Sequence, residues 1–242
     1  TMTINGVDVS STLTDNGDNT YTVTYTVTEG DTDIPDSSDL PVNLVLIDTA
    51  GNHSDAYTTA DPDNRPGVDG NSPSITSVTF NPSSGVLKIG DTATATITVA
   101  NNETGLASGT TMTINGVDVS ATFAEIGGGQ YTVTYTVTEG DTDIPDSSDL
   151  PVDLTVRDAA GNQSAHYTTA DPSNRPGVDA HKPVISTVTF NPSSGLLKVG
   201  DTATATISSD GTGYTAGTMT INGVDVSSTL TDNGDNTYTV TY

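Results

Sequence analysis

YTVTYTVTEGDTDIPDSSDLPV, residues Tyr21 to Val42, returns letter for letter as Tyr131 to Val152, and its first five residues close the chain as Tyr238 to Tyr242. In its first half Tyr21, Val23, Tyr25 and Val27 alternate with Thr22, Thr24, Thr26 and Thr28. Side chains on a strand point to opposite faces in turn, so this spacing predicts a strand with one face in a core and one in water. The second half is rich in acids and turn formers and predicts a loop. The recurrence falls 110 residues later, about the length of one β-sandwich domain. The stretch therefore reads as one strand and its following loop, repeated once per domain.

Working outward, Thr1 to Tyr25 is identical to Thr218 to Tyr242, and both lie in the middle of a repeat. The alignment predicts a partial domain over 1–70 that lacks its first strands, a complete domain over 71–180, and a second partial domain over 181–242 that lacks its last strands. A half sandwich exposes an apolar face and unpaired edges. The chain is therefore expected either to belong to a longer array or to be completed by neighbouring chains.

Within the complete repeat, Ile75 to Phe80 is a predicted first strand, ended by the turn formers Asn81 to Gly85, with Val86 to Ile89 continuing it on the other sheet. In DTATATITV, Ala93, Ala95, Ile97 and Val99 share one face, and Thr92, Thr94, Thr96 and Thr98 the other. Asn115-Gly116 between TMTI and VDVS is a hairpin signal, because both central residues of a type I′ turn need positive φ. Asn5-Gly6 and Asn222-Gly223 repeat it. Leu150, Val152, Leu154 and Val156 predict an inward strand face, and a last strand is expected near Gln163 to Thr169 after the turn Asp158 to Asn162. Seven to eight short strands with turns every few residues predict an all-β chain of tandem immunoglobulin-like sandwiches in an elongated array. The entry and exit of the complete domain are expected at opposite poles. Ala60 to Pro73 and Ala170 to Pro183, each with three prolines, read as stiff interdomain linkers.

Composition bounds the function. Six Lys and Arg against 31 Asp and Glu leave a formal charge of −25, which disfavours nucleic acid and favours cations. With no cysteine, disulfides cannot staple the domains. No apolar run is long enough to span a membrane. His53, His166 and His181 do not recur at one repeat's offset, and no nucleophile–base pairing stands out, so no enzyme is expected and no catalytic residue is nominated.

NPSSGVLKIGDTATATI (Asn81 to Ile97), DAAGN (Asp158 to Asn162) and QYTVTYTVTEGD (Gln130 to Asp141) resemble the bacterial immunoglobulin-like repeats of giant secreted surface adhesins, many of the repeats-in-toxin type, involved in biofilm attachment. The resemblance implies an extracellular, cell-surface extender that holds a ligand-binding tip away from the cell. It also implies neighbouring repeats of the same polypeptide as partners and Ca²⁺ at domain junctions.

If each connection reverses the chain, odd-numbered loops of a sandwich lie at its C-terminal pole and even-numbered loops at its N-terminal pole. One junction then gathers Glu29, Asp31 and Asp33, Asp69 and Asn71, and Asp158 and Asn162, with Asn101 to Glu103 nearby. Asp48 and Asn52 are the first copy's equivalents of Asp158 and Asn162. The next junction is expected to use Glu139, Asp141, Asp143 and Asp179, with Asp210. So many carboxylates repel unless a hard cation with six to eight oxygen ligands sits among them, which suits Ca²⁺ better than Mg²⁺. Two other readings stand beside the extender. One is an array whose loops bind carbohydrate or protein, disfavoured because the tyrosines other than Tyr214 lie mostly in strands; the other is an ice-binding threonine face, disfavoured because sandwich strands twist.

Overall fold

A computed structural model of the chain describes residues 1–60 and 65–242. It is all-β and forms two compact units, Thr1–Thr138 with Thr142–Asp179, and Glu139–Asp141 with Ala180–Tyr242. Among the described residues no helix is long and apolar enough to cross a membrane.

The first unit opens with β1 (Thr3–Ile4), β2 (Val7–Asp8), β3 (Thr14–Asp15), β4 (Tyr21–Thr22) and β5 (Val42–Asn43). They form a β2–β1–β5 sheet and a β3–β4 hairpin, extended by bridges between Leu44 and Tyr57 and between Ile47 and His53. Next come β6 (Ile75–Asn81), β7 (Val86–Lys88), β8 (Thr92–Val99), β9 (Ala107–Ile114), β10 (Val117–Asp118), β11 (Ala124–Gly127), β12 (Gln130–Thr136), β13 (Val152–Arg157) and β14 (Gly177–Asp179). One sheet has the order β11–β12–β8–β6 and another β10–β9–β13, while β14 pairs in parallel with β7. These are the strand orders of an immunoglobulin-like sandwich.

Its core follows the period-2 pattern. Ala93, Ala95, Ile97 and Val99 of β8 and Tyr131, Val133 and Tyr135 of β12 are buried, as are Met112, Ile114, Leu150, Val152, Leu154 and Val156 from the other sheet. Phe123 stacks on Tyr131 with ring centroids 5.1 Å apart. Asn115 and Gly116 take φ of 52° and 77°, and the other two Asn-Gly pairs repeat this, so the predicted hairpins form. Thr155 is buried against the alternation. It sits at a register shift between Leu154 and Val156, where its hydroxyl accepts from Thr111 N at 3.0 Å and donates to Thr111 O at 2.8 Å, replacing the strand pairing that the shift removes.

Register fixes the poles of this sandwich. Ile75 pairs with Val99 and Asn81 with Thr94, so β6 runs antiparallel to β8 from the pole of Val99 towards that of Thr92. Gln130 pairs with Thr98, and Val152 with Ile114. The turns at 100–106, 127–129 and 158–162 therefore share the N-terminal pole with Asn71, whereas the loop after β12 lies at the C-terminal pole with Asp179, which pairs with Lys88.

Three expectations are corrected. In the first copy the strand expected over Tyr21 to Thr28 forms only as Tyr21–Thr22, with Tyr21 and Val27 exposed, because among the described residues β4 pairs with β3 alone, whereas β12, of like sequence, is held along its whole length by β8. Ala170 to Pro183 is not a free linker: Gly177–Asp179 is β14, Val178 and Ala180 are buried, Asp171 N donates to Val78 O and Arg175 N to Ser83 O. Proline lacks an N–H, yet the β14 residues that need one are Gly177, Val178 and Asp179, beyond the last proline of that run before the strand. In Ala60 to Pro73, residues 61–64 lie outside the described residues; Val68 bridges Ile34. The last strand expected near Gln163 to Thr169 is reduced to bridges of Gln163 with Arg157 and Tyr167 with Leu154. Between them the hydroxyl of Ser164 takes the N–H of Val156 at 3.0 Å, and a side-chain acceptor breaks a regular ladder.

The second unit contains β15 (Ile185–Asn191), β16 (Thr204–Ser209), β17 (Thr220–Ile221), β18 (Val224–Asp225), β19 (Thr231–Asp232) and β20 (Thr237–Thr241). The sheet order is β15–β16–β20–β19, with β17–β18 as a separate hairpin. Ala205, Ile207, Val226, Tyr238 and Val240 form its core, flanked by Tyr214, Met219, Ile221 and Leu230.

Candidate metal junction

The first unit contains one complete candidate junction, built on the acidic loop after Tyr25. Asn5, held in its hairpin turn, donates from Nδ2 to Tyr25 Oη at 3.0 Å and to Thr32 O at 2.8 Å. Tyr25 Oη donates to Asp31 Oδ2 at 2.7 Å, and Thr28 N donates to the same oxygen at 2.8 Å. The Thr28 N–H, then the Tyr25 hydroxyl, hold the Asp31 carboxyl below the usual carboxylate range. Asp31 therefore closes its own loop, with both oxygens taken by Tyr25 and Thr28.

Glu29 and Asp33 behave differently. Asp33 Oδ1 accepts from Gly70 N and Asn71 Nδ2, each at 2.9 Å. Glu29 accepts from Ser72 N at 3.2 Å. Gly30 N donates to Gly70 O at 2.7 Å. The loop is thus stitched to residues 70–72. A Cβ on Gly70 would lie 2.7 Å from Asp31 O, so glycine permits this approach.

From the complete sandwich comes the turn Asp158–Asn162. Asp158 Oδ1 accepts from Gly161 N and Asn162 N at 2.8 Å, and Oδ2 from Asn162 Nδ2 at 3.0 Å. The first copy builds the same device from Asp48 and Asn52, at 2.8 Å and 2.9 Å. Asn162 Nδ2 also donates to Asp69 O at 3.2 Å, bringing the turn against the segment that carries Asp69. Glu103 stands at the same place. Burial, then the charges of Asp158 and Asp69, push its carboxyl above the usual range. A cleft of about 440 Å³ beside this contact is lined by Asp33, Asp36, Asp69 and Ala160 among others.

Of the residues expected at this junction, Asp69, Asp158 and Asn162 come together, and Glu29, Asp33 and Asn71 brace the segment between them. Asp31 turns inward, and Asp48 with Asn52 occupy the equivalent turn of the first copy. Sequence reasoning missed Asp36, whose only signal was its place in the run of acids. Among the described residues, no three His, Asp or Glu side chains stand close enough to hold a metal ion as they are placed.

The residues expected at the next junction divide between the units. Asp143 and Asp179 belong to the first unit, and Glu139, Asp141 and Asp210 to the second. Glu139 accepts from Lys182 N at 3.2 Å and pairs with Lys182 Nζ at 3.1 Å, and these contacts lower its carboxyl pKa. Lys182 stands where the first copy has Ser72. Asp210 Oδ1 accepts from Val184 N and Tyr214 Oη, each at 3.0 Å. Tyr214 stacks on Tyr238, with ring centroids 6.0 Å apart. No protein-family model matches the chain, and no curated protein matches it significantly.

Proposed function

We propose that the chain is a non-catalytic structural extender of a bacterial cell-surface adhesin, stiffened by Ca²⁺ where consecutive domains meet. The observation that carries the calcium reading is the meeting of Asp69, Asp158 and Asn162, at which Glu103 is held above its usual pKa by burial and by two like charges. An extender must fix the angle between domains. A cation shared by Asp69 and Glu103/Asp158 does so by removing the repulsion that otherwise pushes their segments apart.

The donor set fits a hard cation. It consists of carboxylates and carbonyl oxygens, with no thiolate or imidazole among the residues described at the junction. Asp69, Glu103 and Asp158 would hold the ion by closing on it, since as placed these three carboxylates do not stand close enough to share it, with Asp33 and Asp36 bordering the cleft beside it. Asn162 positions the turn, and Asp31, Tyr25 and Asn5 set the loop. The adhesin reading rests on the resemblance of Asn81–Ile97, Asp158–Asn162 and Gln130–Asp141 to extender repeats, together with the strand order of the complete domain. Tyr214, packed on Tyr238, offers little support for an aromatic ligand site.

Calorimetric titration of the 242-residue chain with CaCl₂, with melting and small-angle scattering in Ca²⁺ and in EGTA, tests the proposal. An ion at about 100 times its Kd stabilises the bound unit by about 2.7 kcal/mol, or about 5–10 °C for a unit of this size. Scattering should show a narrower distribution of shapes with Ca²⁺. Absence of binding heat, together with identical melting and scattering in the two buffers, refutes the calcium reading.

A further inference from the structure

The residues that close the complete sandwich lie alongside the residues that open it. After the bridge between Tyr167 and Leu154 the chain leaves the β10–β9–β13 sheet and runs beside β6 and β7. Asp171 N donates to Val78 O at 2.9 Å, Arg175 N to Ser83 O at 3.0 Å and Gly177 N to Gly85 O at 2.9 Å. β14 then pairs with β7 in parallel, Gly177 with Val86, Val178 with Leu87 and Asp179 with Lys88. Pro172 and Pro176 have no N–H to donate. Between them the side chain of Asn174 stands in for a strand, its Oδ1 accepting from Phe80 N at 3.1 Å. On its other side Val178 exchanges two bonds of 2.8 Å with Ile144, and Val178 and Leu87 are buried.

The direction of this pairing decides how it carries load. The chain enters the domain at the pole of Asn71 and leaves it at the pole of Asp179, and both segments run from the first pole to the second. Tension drawn through the two ends therefore pulls the opening segment back towards its start and the closing segment on towards its end. The two pulls are opposed and lie along the strands. Bonds between strands run across that axis, so sliding one segment past the other strains all of these contacts together. A segment pulled sideways would release them one at a time.

We propose that Asp171–Asp179 is the force-bearing clamp of the domain, a strap loaded in shear whose rupture sets the force at which the sandwich opens. The extender reading supplies the source of the tension, and the proposal rests on it for that alone. The clamp itself is built from backbone and one asparagine.

The test is constant-force spectroscopy of the 242-residue chain held by its two ends in EGTA, so that failure of the calcium reading leaves the outcome untouched. Opening of the complete domain is identified by an extension of about 350 Å, the contour of its roughly 110 residues at about 3.5 Å each less the folded length. Asn174→Ala, which strands the N–H of Phe80, should raise the rate of that step at fixed force about 5–150-fold, the equivalent of one buried bond. Asn174→Asp keeps an acceptor there and should open at the wild-type rate. Leu87→Val, a milder change on β7, should move the rate in the same direction as Asn174→Ala. Val133→Ala, in the core on β12 and away from the strap, should lower the melting temperature yet leave the rate under force near that of wild type, because its contacts persist until the strap has failed. A stabilising role alone for Asn174 does not give that split. Release of the strap ahead of the main step, seen in wild type as an early extension of about 30 Å, overturns the proposal. So does an Asn174→Ala that opens at the wild-type rate, or a Val133→Ala that accelerates the step as much as Asn174→Ala does.

Discussion

Val78→Ala and Val188→Ala make the same chemical change in the same local sequence, VTFNPSSG, on strands β6 and β15. Loss of intrinsic strand preference is therefore common to both and cancels in the comparison. Val78 is fully buried between two sheets, so removing two methyl groups forfeits about 1.6 kcal/mol of transfer free energy at about 0.8 kcal/mol each. The cavity left behind raises the loss to about 2–3 kcal/mol. Val188 is 49% exposed, so about half the transfer term applies and no closed cavity forms, giving about 0.8 kcal/mol. Native-state hydrogen exchange reads the two strands separately, which a single melting curve of a two-unit chain cannot. In EGTA and at low micromolar concentration, the slowest amides of β6 should exchange about 30–150-fold faster in Val78→Ala, and those of β15 about fourfold faster in Val188→Ala. Equal acceleration in both strands would refute the reasoning, because it would mean that Val188 is covered as completely as Val78.

Three further outcomes follow from the junction and its supports. Glu103 has a folded pKa raised above 4.5, so its favourable contribution is present below that value and lost as pH rises through the folded pKa; without Ca²⁺, Glu103→Gln should melt higher than wild type at pH 7 and alike at pH 4, and should weaken calcium binding in calorimetry. Asp8, Asp118 and Asp225 are lowered from 3.8 by hydrogen bonds from the serine two residues on, so their contribution is present above that value, and melting temperature should fall as pH drops from 4 to 2. Asn5→Gly keeps a residue that tolerates φ of 52° but removes the bonds to Tyr25 and Thr32; it should cost about 1–3 kcal/mol in protection of the Glu29–Asp33 loop by hydrogen exchange, and Asn5→Ala more, because alanine adds backbone strain.

Legibility in the sequence tracked the range of the interaction responsible. The alternation in Thr92 to Val99 and Gln130 to Thr136 is local, and each inward residue expected there is buried. Counting reversals placed the 158–162 turn and the acidic loop at opposite poles, because each connection turns the chain as the rule requires. What stayed hidden depended on distant partners. β14 exists because Val86–Lys88 offers it an edge about ninety residues earlier in the chain, and no local pattern around its prolines announces that. Asp31 and Asp33 are equivalent by composition and spacing, yet Tyr25 captures one and residues 70–71 engage the other.

The repeats carry this argument one step further. Tyr21 and Tyr131 occupy the same sequence, yet Tyr131 is buried in the seven-residue β12, paired with β8, whereas Tyr21 is half exposed in the two-residue β4, paired with β3, so a repeat specifies its turns and its alternation but takes both strand pairing and core from what it packs against. The same holds at the acidic loops. Glu29 and Glu139 begin identical EGDTDIPDSSDLPV loops, but Glu29 faces Ser72 while Glu139 faces the ammonium of Lys182. A positive charge beside Glu139 reduces the repulsion that a divalent ion would otherwise relieve. Two loops with the same letters are thereby given different electrostatic surroundings by the residue that follows the sandwich, so under the proposed calcium reading the response to the ion should differ from one junction to the next, and calorimetric titration of Lys182→Ser should show added calcium binding where wild type shows less.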